Sequence, residues 1–251
     1  MTNKMTFDSL FSLGHIIKED DLFQHNHFSD FLDLYDANFI QFKKMPSLAE
    51  FIAIENYLTV FHQNNGQEHL KFRFPENCSF SEELKDYIGN NNYTSDILEL
   101  FILEKDNFPK LPPNHLIEVK VVSSDTLDDL LKLRYDVNKE YGTDYAKRKN
   151  NLIVEQLKDE KLTFLIAYYE NQPAGCLNLI ETSSTLEIDD LFVDPTFRNK
   201  KIASYLQQKT IQLSNEKSII LLADANDTPR NMYLKQGYQL QGERYDIFKM
   251  L

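Results

Sequence analysis

Between Glu187 and Ala203 the chain brings three acids close to a basic turn. Glu187, Asp189 and Asp190 are each able to take a proton from an amine. Arg198, Lys200 and Lys201 crowd the start of a run in which Ile202, Leu206 and Leu213 fall at helical spacing, with Ala203 beside them. A helix N-terminus carries unpaired N–H groups and a partial positive charge, so it can hold phosphate, and three cations sharpen that preference. The rest of the chain is acidic, with a formal net charge of −12. One local basic turn on an acidic body suits a small anionic cofactor held there and a cationic substrate drawn in by its surroundings.

The elements that must position these groups follow from the apolar pattern. Leu186, Ile188, Leu191 and Val193 keep a spacing of two on either side of Asp189 and Asp190 but slip by one residue across them. A strand that buries one face changes parity only by inserting a residue, so the spacing predicts a β-bulge. Pro195, which has no N–H for a ladder, stops the strand. A helix is then expected from Arg198.

The run Arg198-Asn199-Lys200-Lys201-Ile202-Ala203 resembles the acetyl-CoA motif of the GNAT family of N-acetyltransferases: Gln or Arg, two residues of any type, Gly, any residue, then Gly or Ala. The first and last positions match, and Lys201 stands where the family has Gly. Asn226, Tyr233, Gly237 and Tyr238 are similar to the family's second signature and follow at the expected distance. The resemblance covers about the last 135 residues, the size of one ordinary domain. It implies an α/β fold with a mixed sheet, acetyl-CoA as cosubstrate, and acetyl transfer to a primary amine by direct attack in a ternary complex. In that reading the backbone of Leu191, Phe192 and Val193 pairs with the pantetheine arm. The N–H groups of Asn199, Lys200, Lys201, Ile202 and Ala203 take the pyrophosphate, Asn226 bonds the cofactor, and Tyr233 protonates the departing thiolate. An acid on the bulged strand serves as base, Asp190 first and Glu187 next. The helix after Asp125 forms the acceptor wall, where Asp136, Glu140 and Tyr141 offer carboxylates and a ring to a cation.

Each assignment has a plainer counterpart. Tyr233 can be packing, Asn226 can cap the helix that Pro229 opens, and the three acids can be solvated charges. Lys201 is expected at negative φ because it carries a Cβ, its ammonium making up for the missing glycine by contacting a phosphate. A GNAT-shaped sensor that binds an acyl-CoA or a metabolite and turns nothing over is the alternative to the enzyme.

Composition narrows the classes further. The chain has 251 residues, of which 42% are hydrophobic and 26% charged, an ordinary soluble balance. Its acidity argues against a nucleic-acid partner. No run approaches eighteen apolar residues and the first residues lack a secretory pattern, so a cytoplasmic protein is expected, with no membrane partner. The two cysteines, Cys78 and Cys176, give neither a disulfide framework nor metal spacing, and no metal is expected. No histidine follows His115, which excludes a Ser-His or Cys-His nucleophile built from the second half alone. Pro109, Pro112 and Pro113 mark a linker over 109–115, between a first domain at 1–108 and a catalytic domain at 116–251. His69 to Leu103 can be laid over Ser218 to Leu251 as strand, Asn turn, short helix, aromatic and strand. The first domain therefore reads as a tandem GNAT-like copy without the phosphate loop. The chain is expected to end in a hairpin bent at Gly242.

Overall fold

A computed structural model describes residues 5–226 and 229–251. In chain order, β1 (His15–Glu19), β2 (Phe23–His27) and β3 (Phe39–Phe42) precede α1 (Leu48–Asn64), β4 (His69–Arg73), α2 (Glu82–Asn90) and β5 (Thr94–Leu103). Then come β6 (Ile117–Val121), α3 (Leu127–Asn138), α4 (Thr143–Gln156), β7 (Leu162–Tyr169), β8 (Gln172–Glu181) and β9 (Thr185–Val193). The chain closes with α5 (Ile202–Leu213), β10 (Ser218–Asp224), α6 (Pro229–Lys235) and β11 (Gln239–Met250). Among the described residues no helix is long and apolar enough to cross a membrane.

Two compact units result, and they do not follow chain order. The first gathers Met1–Leu100 with Ala223–Arg230 and Leu240–Leu251; the second gathers Phe101–Leu222 with Asn231–Gln239. The end of β5, from Phe101 to Leu103, thus belongs to the second unit, while nearly all of β11 belongs to the first. The boundaries read from the prolines and those drawn by contacts divide the chain differently.

In the first unit the strand order is β1-β2-β3-β4-β11-β5. Its one long helix is started by a capping box: Ser47 Oγ accepts from Glu50 N–H, and Glu50 Oε2 accepts from Ser47 N–H at 2.8 Å. Phe51, Ile54 and Leu58 from α1 then bury against Phe42, Leu70, Phe72 and Phe74 of the sheet. The expected C-terminal hairpin does not form. β11 is one strand, antiparallel to β4 from Asp246↔Arg73 to Met250↔His69. Gly242 serves space rather than a turn: a Cβ there would meet the Asn77 side chain at 3.1 Å.

In the second unit the order is β10-β9-β8-β7-β6. Leu130, Leu133 and Ile153 of α3 and α4 pack on Phe164, Ile166, Tyr168 and Cys176 of the sheet. α3 ends at Asn138, and the chain passes through a 3-10 turn and breaks at Gly142, whose φ is +111°. The next helix begins at Thr143.

Candidate cofactor and acyl-transfer site

The site starts where two parallel strands part. β9 and β10 pair from Thr185↔Ser218 to Ile188↔Leu221, and β9 then continues to Val193 paired to β8. The parting coincides with the bulge that the sequence pattern called for. Cys176 of β8 faces Phe192 and Asn178 faces Asp189, so Leu177 alone opposes both Asp190 and Leu191. Asp190 sits at φ +54°, a left-handed conformation that costs a non-glycine residue energy. An inserted residue bends a strand and raises its twist, which carries Leu191, Phe192 and Val193 out of the β10 ladder. The ladder to β10 ends at Ile188↔Leu221, short of these three residues.

The loop after β9 is basic and tightly turned. Asp194 closes the 3-10 turn Pro195–Phe197, its Oδ1 accepting from the Thr196 N–H at 2.8 Å and hydroxyl at 2.6 Å. Arg198 follows at φ −61°, Asn199 at +63° and Lys201 at +65°. Lysine therefore occupies a positive φ, against the expectation from its Cβ. The fold imposes on lysine a backbone shape that favours glycine and accepts the strain. Alternation of φ sign along a loop converges successive N–H groups into an anion-binding concavity. The first helical bond of α5 runs from Tyr205 N–H to the Lys201 carbonyl, so the N–H groups of residues 202–204 precede the ladder. The helix begins at Ile202 rather than Arg198.

Arg198, Asn199, Lys200 and Lys201 are all exposed, while Ile202 is buried and Ala203 half-buried. Lys200 Nζ lies 4.3 Å from the centre of the Tyr169 ring. Among the described residues none of the three cations pairs with a carboxylate. Gly175 of β8 admits the loop's close approach, since a Cβ there would stand 2.7 Å from the Phe192 carbonyl and 3.1 Å from Ile202 Cγ2.

The three acids separate by environment. Glu187 is buried; Asp189 and Asp190 are exposed. The Asp190 carboxylate is in close ion-pair contact with Arg134 Nη2. Arg134, from α3, is itself buried, and its Nη1 reaches the Asp190 carbonyl at 3.4 Å. Sequence reading missed Arg134, although a signal was present. Leu130, Arg134 and Asn138 recur every four residues, so two polar groups continue the apolar stripe of α3, and both are buried.

Tyr233 is buried on α6, with its ring 5.4 Å from Tyr238 and 6.2 Å from Phe101. Gly237 ends that helix at φ +90°, and Tyr238 N–H returns to the Tyr233 carbonyl at 3.1 Å. Burial pushes the Tyr238 hydroxyl well above the ordinary phenol range, with Tyr233 adding to the effect. Asn226, in the first unit, is exposed in the turn after β10, and its N–H donates to Asp224 Oδ1 at 2.7 Å. Asp136, Glu140 and Tyr141 are also exposed; Asp136 accepts from Lys139 Nζ at 2.7 Å, and the Tyr141 ring lies 5.7 Å from that of Tyr145.

Comparison with known proteins fits this geometry. The family model described as acetyltransferase (GNAT) family matches residues 126–238, which include the bulge, the basic loop and Tyr233. Residues 126–238 are thus a domain of the GNAT family. Ahead of the GNAT domain, a domain of unknown function, DUF5613, matches residues 5–101. A functionally unknown conserved protein from Staphylococcus epidermidis is 30% identical, with 98% of each chain covered and a TM-score of 0.90. A GCN5-related N-acetyltransferase from Kribbella flavida aligns at 10% identity over 86% of this chain and 83% of its own, with a TM-score of 0.59. A tandem GNAT protein from the clavulanic acid biosynthesis pathway aligns at 9% identity over 84% of this chain and 74% of its own, with a TM-score of 0.54. These likenesses show the fold: a mixed-sheet α/β GNAT domain preceded by a half of related fold. Among curated proteins, none matches the chain.

Proposed function

We propose that this chain is an acetyl-CoA-dependent N-acetyltransferase that acetylates a primary amine by direct attack in a ternary complex. One observation carries the reading: β9 leaves β10 at a bulge and runs directly into an exposed basic loop whose φ signs alternate. The freed backbone of Leu191 to Val193 suits an extended pantetheine arm, which adds to β9 as a strand would. The loop from Arg198 to Ala203 suits the pyrophosphate.

Acyl transfer then asks three things of the residues nearby. The amine must lose a proton, the carbonyl oxygen must be stabilised as charge grows on it, and the thiolate must gain a proton as it leaves. Backbone N–H groups of β9 serve the oxygen. An acid of β9 takes the proton through water, either Asp190, whose carboxylate meets Arg134, or the buried Glu187. The Tyr233 hydroxyl returns a proton to the thiolate. The acceptor is a small-molecule or peptide amine, and Asp136, Glu140 and Tyr141 favour a cationic one.

The sensor reading has one observation in its favour, the same tie between Asp190 and Arg134. Steady-state CoA release by the full chain with a panel of amines separates the two. Turnover with any amine supports the enzyme; tight CoA binding with no turnover across the panel supports the sensor.

Lys201 gives a second test. Lys201→Gly should bind CoA as well as or better than the native chain, because glycine takes φ +65° without strain. Lys201→Glu should weaken binding by up to about tenfold, the size of a charge effect at an exposed helix start. Calorimetric titration of CoA into both variants reads the difference. Unchanged affinity in Lys201→Glu would place that side chain away from the cofactor.

A further inference from the structure

We propose that Arg134 is a positioning residue: it clamps the β9 bulge and so holds open the slot into which the acyl-CoA thioester arm inserts. The proposal rests on the acetyl-CoA reading above. Its basis is the convergence of one buried guanidinium on the bulge. Arg134 Nη2 grips the Asp190 carboxylate, while Nη1 points at the Asp190 carbonyl at 3.4 Å and at Cys176 Sγ at 4.0 Å. Cys176 is the β8 residue paired to Phe192, on the far side of the inserted residues. One side chain thus holds the strained residue by both its carboxylate and its backbone, and braces the opposing strand as well.

Two costs in the fold make sense only together. Asp190 at positive φ is strained, and non-glycine residues persist there only when the surroundings over-determine them. Arg134 is a buried cation whose Nε has no hydrogen-bond partner among the described residues. A buried charge of this kind is strongly destabilising unless paired. Each residue offsets the other's cost, and the gain is a fixed departure of β9 from β10 just beyond Ile188 and Leu221. A bulge free to relax would let β9 rejoin the ladder and close the slot.

The test uses the full chain with Arg134→Met, Asp190→Gly and the double variant. Methionine keeps an unbranched apolar stem and removes the clamp. Glycine takes the positive φ without one. Arg134→Met should weaken CoA binding about tenfold, equivalent to the strain of one left-handed residue. The double variant should recover native affinity, because it needs no clamp and buries no charge. Mere loss of packing at Arg134 on α3 would not be repaired by a glycine on β9. Native affinity in Arg134→Met, or a double variant no tighter than Arg134→Met, overturns the proposal. If the native chain itself fails to bind CoA, the cofactor reading falls, and amide exchange of the segment 186–197 still judges the clamp. Exchange should quicken in Arg134→Met and return to native in the double variant; no change overturns the clamp.

Discussion

Tyr233→Phe should lower turnover by about 10² to 10⁴-fold, the usual worth of a positioned general acid, with little change in CoA affinity. The ring is buried against Tyr238 and Phe101, so phenylalanine keeps the packing and only the hydroxyl is lost. A group that acts only in the transition state should lower kcat and kcat/KM together. Acyl donors with more acidic leaving thiols should suffer less, because their thiolates need less help. Native turnover in the variant, measured with an amine known to be acetylated, would return Tyr233 to a packing role and pass the proton to water.

Acid should unfold the first unit over a window set by two histidines. His25 and His62 are fully buried. Burial first, then the neighbouring His62 and His27, pushes His25 from 6.5 down to about 3. Burial likewise pushes His62 down to about 4, against the opposing effect of its bond to the His69 carbonyl. That bond, from His62 Nδ1–H at 2.5 Å, leaves His62 Nε2 without a partner among the described residues, and His25 Nε2 has none there either. A folded base that resists protonation binds fewer protons than the same base unfolded. The stability it contributes is therefore complete above the unfolded value near 6.5 and is lost as pH falls towards 4 and then 3. Each tenfold loss of proton affinity is worth about 1.4 kcal/mol, so the two groups together remove on the order of several kcal/mol, comparable with the stability of a whole domain. Urea titrations from pH 8 to pH 4, with amide exchange read over β2, α1 and β4, should show the loss. His25→Phe, which keeps an aromatic ring among Tyr57, Phe61 and His62, should make the pH dependence shallower. An unchanged slope would mean that other groups set the window.

Much of the candidate site was legible because its devices leave marks on residue order. A parity slip across Asp189 and Asp190 gave the bulge, since only an inserted residue can move Leu191 and Val193 to the other spacing. The basic loop before α5 was legible from its cations and from the helical spacing behind them. Lys201 misled because residue type speaks only for preference. A side chain with a Cβ disfavours positive φ, but a fold that needs the turn can impose it. Arg134 was overlooked since a charge in a helix reads as solvent-facing until its register with Leu130 and Asn138 is checked. The final strand was misread for a similar reason. Gly242 has the composition of a turn, yet the crowding at Asn77 that requires it comes from a residue far away in sequence, which no local pattern reveals.

Placing β11 beside β4 sets the order of synthesis against the order of the sheet. The first unit's strands β1 to β5 emerge early, but the strand between β4 and β5 is supplied by Gln239–Met250, made only after β6 to β10. Until then both flanking strands present open edges, which invite pairing with other chains. Contacts this distant also slow the search for the native pairing. Cutting the chain at the proline linker would release neither unit whole, since the first would lack Leu240–Leu251 and the second Phe101–Phe108. The nascent chain must therefore keep its first unit incomplete while the second is being made, a natural demand for a chaperone at that stage.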